Sequence, residues 1–265
     1  MLYPIFESQI LPKMGVQIKL QHEKIQIFRC EQHWECYHLA HEDDQPFICA
    51  PEFDLIEHRP ETYLRLQQWV SGEQESTFRC FARMPAQTFI AFPAEPILVP
   101  RDRKPKLYAH IPLQLSVLIG GSKVPLWEGF FEPVKRTWFG KNNRVGELAI
   151  TLPQTLSVES QHVETAAHRT EFRACMELRI VNRDAEPLHI ERLALPVPFF
   201  PVYLLDQSHY WTFPLALTKE RLLDELKVNH GKEITQRHEQ KRFVGEPHQH
   251  LEVRTIMRAL EAIIG

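Results

Sequence analysis

A mostly β fold, two sandwich-like halves followed by a C-terminal α-helix, is what this sequence predicts. Three observations lead there. Apolar and polar residues alternate with period two through most of the chain, the pattern of half-buried strands. Prolines number 20 against 10 glycines, and proline, lacking an amide hydrogen, belongs at strand ends, edges and turns. One stretch alone carries a clear helical i, i+3, i+4, i+7 spacing, and it is the last.

The elements follow in order. GVQIKL (15–20) and KIQIFRC (24–30) read as strands joined by a polar turn at His22 and Glu23, and WECYHLA (34–40) as a third. FICAPEF (47–53), TYLRLQQWV (62–70), STFRCFARM (76–84) and TFIAFP (88–93) continue the alternation. LYAHIPLQLSVLIG (107–120) predicts the longest strand, with Pro112 marking an edge or a bulge. GELAITL (146–152) is a strand, and 153–168 is polar enough to be a connection. EFRACMELRIV is a strand, Asn182, Arg183 and Asp184 supply turn chemistry, and HIERLAL returns as a second strand. LKVNHGKEITQR (226–237) predicts a hairpin turning at Asn229-His230-Gly231, with a short helix at 218–227 as its rival. In LEVRTIMRALEAII (251–264), Val253, Ile256, Met257, Leu260 and Ile264 form the apolar stripe of the helix. The expected organisation is a β-rich domain over 1–152, the connection, and a second β domain with the helix over 169–265.

Composition narrows the function classes. A net charge of −3 provides no global basic field for nucleic acid or anionic membrane, and no recognisable nucleic-acid module occurs. No run approaches the length of apolar residues that a membrane-spanning helix requires, and the first residues lack the pattern of a secretory signal. Five cysteines without a CxxC pair fit reduced thiols and a cytoplasmic location.

The sequence contains no GxSxG, GxxxxGK[ST], GxGxxG or HExxH pattern. The densest set of metal-ligand types is CEQHWECYHLAHEDD (30–44). On a continuous strand Cys30, Trp34, Cys36 and His38 share one face with Phe28, and His33 points away, so packed thiols are the favoured reading. His38, His41 and Asp44, or the HxH pair His248 and His250, are the alternative metal ligands. PVPFFPVYLL (196–205) is an interaction patch if exposed and a buried crossing otherwise.

PVKRTWFGKNNRVG (133–146) is the most marked stretch. Its glycines and asparagines are explained by a turn. A turn does not call for Trp138 and Phe139 beside Lys135, Arg136, Lys141 and Arg144. Those residues, with Asn142 and Asn143, are the expected contact site for an anionic ligand or partner. The basic run RDRKPK (101–106) would extend the patch if the fold brought both to one end.

PAEPILVP, KLYAHIPLQLSVLIG, KRTWFGKNNRVGELAI and LRIVNRDAEPLHIERLALPV resemble, in this order, an uncharacterised prokaryotic domain-of-unknown-function family over about residues 90–235. The resemblance implies no activity, cofactor or catalytic residue. An association of similar proteins with mechanosensitive channel genes makes a membrane channel one partner hypothesis. The strand-rich pattern and the lack of a catalytic constellation make the leading expectation a cytoplasmic binding or regulatory β-module without catalysis or cofactor. The alternatives are a metal-dependent hydrolase and a self-associating scaffold.

Overall fold

A computed structural model describes residues 2–20, 23–39, 51–59, 64–70, 76–142, 145–158, 172–205, 209–220, 226–231 and 241–249. The described chain is mostly strand. In chain order the first strands are β1 Phe6–Gln9, β2 Gly15–Lys19, β3 Lys24–Arg29, β4 His33–Leu39, β5 Glu52–Ile56, β6 Leu64–Val70 and β7 Thr77–Arg83. Then come β8 Phe89–Pro93, β9 Ile97–Val99, β10 Lys106–Pro112, β11 Gln114–Ile119, β12 Trp127–Phe130, β13 Lys135–Asn142 and β14 Val145–Ser157. The last are β15 Arg173–Asn182, β16 Leu188–Ile190, β17 Leu193–Leu195, β18 Val202–Leu205, β19 His209–Trp211, β20 Leu215–Lys219, β21 Leu226–His230 and β22 Lys241–Gly245.

Two compact units interleave along the chain. The N-terminal unit takes Tyr3–Arg83 and Gln114–Pro133; the C-terminal unit takes Met1–Leu2, Met84–Leu113 and Val134–Gly265. In the N-terminal unit, one sheet has the order β5-β2-β3-β4-β6 and a second the order β1-β7-β11-β12. Short polar turns between alternating segments make the β2-β3-β4 meander antiparallel. Rings from the two sheets meet: Phe6 of β1 stacks on Phe53 of β5 at 4.6 Å, and Trp34 of β4 lies 6.3 Å from Phe78 of β7. Trp34, Phe78, Ile18, Ile25 and Ile27 are fully buried there. Burying each such side chain contributes about 1.5–3 kcal/mol.

The C-terminal unit is built on a mixed sheet of order β17-β8-β14-β10-β15-β19-β18-β22, with β13 added to β14, and β20 and β21 added to β15. β10 lies between β14 and β15, and its residues after Lys106 are all buried. A strand enclosed on both faces loses its polar alternation, which is why LYAHIP reads as nearly continuous apolar sequence. The predicted single strand over 107–120 is in fact two strands: β10 ends at Pro112, and the chain passes at Leu113 into the other unit as β11. Pro112 occupies the last position of a central strand, where its missing donor costs one terminal bond rather than an edge.

Other expectations shift. GELAITL begins a strand that continues to Ser157, so the first residues of the predicted connection are paired, Leu156 with Ala109 and Ser157 with Tyr108; residues 159–168 lie outside the described residues. HIERLAL breaks into β16, which pairs with β9, and β17, which pairs with β8. The second hairpin is β20–β21, with Leu215 opposite His230. Asn229 and His230 therefore end a strand instead of making its turn, and Thr218 and Lys219 are extended rather than helical. In 196–205, Val197, Phe199, Phe200 and Val202 are buried, so this segment is core. The predicted helix at 251–264 lies outside the described residues. Among the described residues no helix is long and apolar enough to cross a membrane.

The turn after β15 is organised by a fully buried Asn182. Its amide donates to Val99 O at 3.0 Å and Glu186 O at 2.8 Å, and its side-chain oxygen accepts from Asp184 N at 3.0 Å. Its backbone carbonyl accepts from Asp102 N at 2.8 Å, which ties in the tight turn at Asp102, φ 59°. Replacing this side chain strands the buried Val99 carbonyl and removes two part-buried bonds, an unsatisfied buried group costing about 1–3 kcal/mol. Asn182→Ala is expected to lower unfolding free energy by about 2–4 kcal/mol, read as a lower urea midpoint with an unchanged slope.

Candidate functional site

Within the stretch at 133–146, Lys135–Asn142 pairs antiparallel with the strand that starts at Val145. Arg136 faces Ile150, Trp138 faces Leu148 and Gly140 faces Gly146, with an irregularity between Gly140 and Asn142. Side chains two apart share a face, so Arg136 and Trp138 lie on one side of β13, and Lys135, Thr137 and Phe139 on the other. Phe139 is buried; Trp138 and its cross-strand partner Leu148 are each 49% exposed. Lys135 and Arg136 are exposed. Gly146 is glycine because a Cβ there would stand 2.5 Å from Phe139 O and 2.8 Å from the Trp138 ring. The indole thus lies across Gly146. Lys141 and Asn142 belong to β13, and Asn143 and Arg144 lie outside the described residues. The run at 101–106 does not join this patch. Lys106 starts the strand whose Tyr108 pairs with Ser157, nearly the whole length of β14 away from Gly146.

Of the histidines considered as metal ligands, His38 and His248 are among the described residues. His38 Nε2 is 3.7 Å from Glu23 Oε2 on the N-terminal unit. His248 holds the Met84 carbonyl at 2.8 Å on the C-terminal unit. His41, Asp44 and His250 lie outside the described residues.

A different set converges at the β3–β4 turn. Cys30 N donates to His33 O at 2.8 Å, closing the turn so that Cys30 stands opposite His33. Cross-strand partners share a face, and Glu35 and Tyr37 follow His33 on the same face of β4. The turn resets the alternation: Cys30 joins His33, not Trp34 and Cys36 as an uninterrupted strand would require. One ligand atom each from Cys30, His33 and Glu35 lies within 4.8 Å of the others. His33 Nε2 is 3.1 Å from Glu35 Oε1. Arg59 donates to Glu35 Oε1 at 2.7 Å and, through Nε, to the Tyr37 hydroxyl at 2.6 Å. The Tyr37 hydroxyl in turn donates to Glu35 Oε2. Glu35 is 1% exposed. Burial alone would raise its carboxyl; hydrogen bonds from Tyr37, His33 and Cys30, with the Arg59 charge, overcome this and hold it at about 2. Glu35, Tyr37 and Arg59 escaped the sequence reading. The usable signal was the every-second-residue run His33, Glu35, Tyr37 next to a cysteine at a turn.

The other described thiols are sealed. Burial, then the nearby Glu23, pushes Cys36 up to about 12, and burial pushes Cys80 and Cys175 far above the ordinary range. These three behave as small hydrophobes, whereas Cys30 is half-buried.

The sequence matches the family described as Protein of unknown function (DUF432) over residues 5–259. The chain belongs to the DUF432 family. The match extends the resemblance read from residues 90–235 across the N-terminal third. No curated protein and no solved structure matches the chain.

One further carboxylate of this DUF432 chain is strongly perturbed. Glu23 closes the β2–β3 turn, its carbonyl accepting from Leu20 N at 2.8 Å. Its side chain lies over Gly129, where a Cβ would collide with the Trp127 ring and stand 2.6 Å from Glu23 Oε1. Burial there raises the carboxyl from 4.5 to about 7. Between those two values the folded chain binds more protons at Glu23 than the unfolded one. Stability from this group is therefore complete below about 4.5 and lost as pH rises through about 7. Glu23→Gln is expected to flatten that fall: urea midpoints at pH about 5 and about 8 should differ less in the variant than in the parent chain.

Proposed function

We propose that the chain is a β-sandwich binding module whose contact surface is the β13 edge of the hairpin. Its occupant would be an extended, acidic polypeptide segment of a partner protein. One observation carries this reading: an exposed apolar cross-strand pair, Trp138 and Leu148, stands beside Lys135 and Arg136 on β13. Among the described residues the strand neighbour of β13 is β14 alone. An edge strand offers backbone donors and acceptors to an added strand, and flanking side chains select it.

Exposed cations on an edge also serve to prevent self-pairing. That role needs no indole and no leucine at the surface. The cations also repel a second copy of β13 and attract an acidic strand, which favours a partner over self-association. A strand laid along β13 would have Arg136 and Trp138 on one side and Lys135 on the other. A rigid, half-exposed indole is the side-chain type that dominates contact energies.

Two synthetic peptides provide the test, one alternating Glu with Val and one alternating Lys with Val, titrated calorimetrically at low and high salt. The Glu peptide is expected to bind in a salt-weakened manner and the Lys peptide not to bind. Trp138→Ala should cost about 2 kcal/mol of that affinity, and reversing Lys135 and Arg136 to Glu should abolish it. Equal binding of both peptides, or an acidic peptide indifferent to the charge reversal, would sink the reading.

A further inference from the structure

We propose that Cys30, His33 and Glu35 form a binding site for a divalent transition-metal ion of the zinc type. The site lies on the N-terminal unit and is independent of the β13 edge.

The donor set is the first ground. A thiolate, an imidazole and a carboxylate match zinc and its neighbours, and not magnesium or calcium, which take oxygen alone. The three donor atoms already lie within 4.8 Å of one another, with His33 Nε2 and Glu35 Oε1 at 3.1 Å. Tetrahedral ligands at zinc bond lengths stand about 3.3–3.8 Å apart, so closure needs only small rotations of the half-buried Cys30 and His33 side chains.

The backbone is the second ground. Cys30 and His33 are held opposite each other by the Cys30 N to His33 O bond, and Glu35 follows on the same face of a paired strand. Rigid strands position ligands better than loops do. The third ground is the support behind the carboxylate. Arg59 donates to Glu35 Oε1 at 2.7 Å, and the Tyr37 hydroxyl holds Glu35 Oε2. Outer partners of this kind orient a ligating carboxylate. An ion pair between Glu35 and Arg59 would need neither a thiol nor an imidazole at the same oxygens.

On binding, the hydrogen bonds that Cys30 and His33 make to Glu35 give way to three metal–ligand bonds. The Cys30 thiol releases its proton to solvent, and His33 binds through a proton-free nitrogen. Three protein ligands leave a fourth position to water, reached from the exposed side of His33 and Cys30.

Cobalt(II) serves as the probe, added to the chelator-treated full chain. One equivalent is expected to give a sulfur-to-cobalt charge-transfer band with the intense visible absorption of a four-coordinate ion. Cys30→Ser should remove the charge-transfer band and His33→Ala the tight binding, while Cys36→Ser should keep both. Tyr37→Phe should weaken affinity about 10–100-fold. Zinc should raise the melting temperature of the parent chain and not that of Cys30→Ser, with near-ultraviolet circular dichroism confirming that each variant is folded. Absence of the band in the parent chain, or its survival in folded Cys30→Ser, overturns the proposal.

Discussion

The larger sheet depends on the register between β10 and β15. Seven residues of β10, Lys106 to Pro112, stand opposite Arg179 to Arg173. Other strands attach to this pair: β14 to β10, and β19 and β20 to β15. A one-residue slip would turn Leu107, Ala109 and Ile111, all fully buried, to the opposite face. It would also misplace His110, which stands opposite Cys175 and is buried. Burial, helped by the Arg173 charge, pushes this imidazole down to about 4, so it is neutral at physiological pH. The centre of the sheet thus tolerates a titratable residue by keeping it uncharged.

Elsewhere buried carboxylates stand against cations. Glu177 has Arg179 Nε at 2.7 Å and Lys106 Nζ at 3.7 Å, and Glu35 has Arg59 at 2.7 Å. Glu23 is treated differently: burial dominates, and its proton is retained to about 7. Glu35 and Glu23 are therefore shifted in opposite directions by their surroundings. The arrangement around Glu35 collects donors that a single ion pair has no use for.

Several strands with one face toward water were legible. GVQIKL, KIQIFRC and STFRCFARM became β2, β3 and β7 within a residue or so of their expected ends. Legibility failed where both faces are buried or where alternation runs through a break. Ile111, Leu113, Leu115 and Val117 are all fully buried, so no polarity change announces that the chain leaves one sheet at Leu113 and enters another. Period two also misled at Cys30, because a turn between strands shifts the face without altering composition. The hairpin carrying Trp138 was visible as a turn. Its pairing partners depend on Gly146 admitting the indole, a fit between residues eight apart that residue types alone do not reveal. The cluster at Glu35 needs Arg59 from beyond β5, and long-range contacts of this sort leave no local trace.

The interleaving of the two units has a consequence for how such a chain can vary. Gln114–Pro133 supplies β11 and β12 to a unit whose other strands end at Arg83. A single crossover between two related genes, placed anywhere from codon 84 to codon 113, would join β11 and β12 from one parent to β7 from the other. The β7–β11 pairing, Gln114 opposite Arg83 through Ile119 opposite Phe78, would then be inherited from two sources. Exchange of either unit intact requires crossovers after Leu2, Arg83, Leu113 and Pro133 together. A change on one side of this pairing therefore has its compensating positions on the other strand, across the thirty residues that separate β7 from β11.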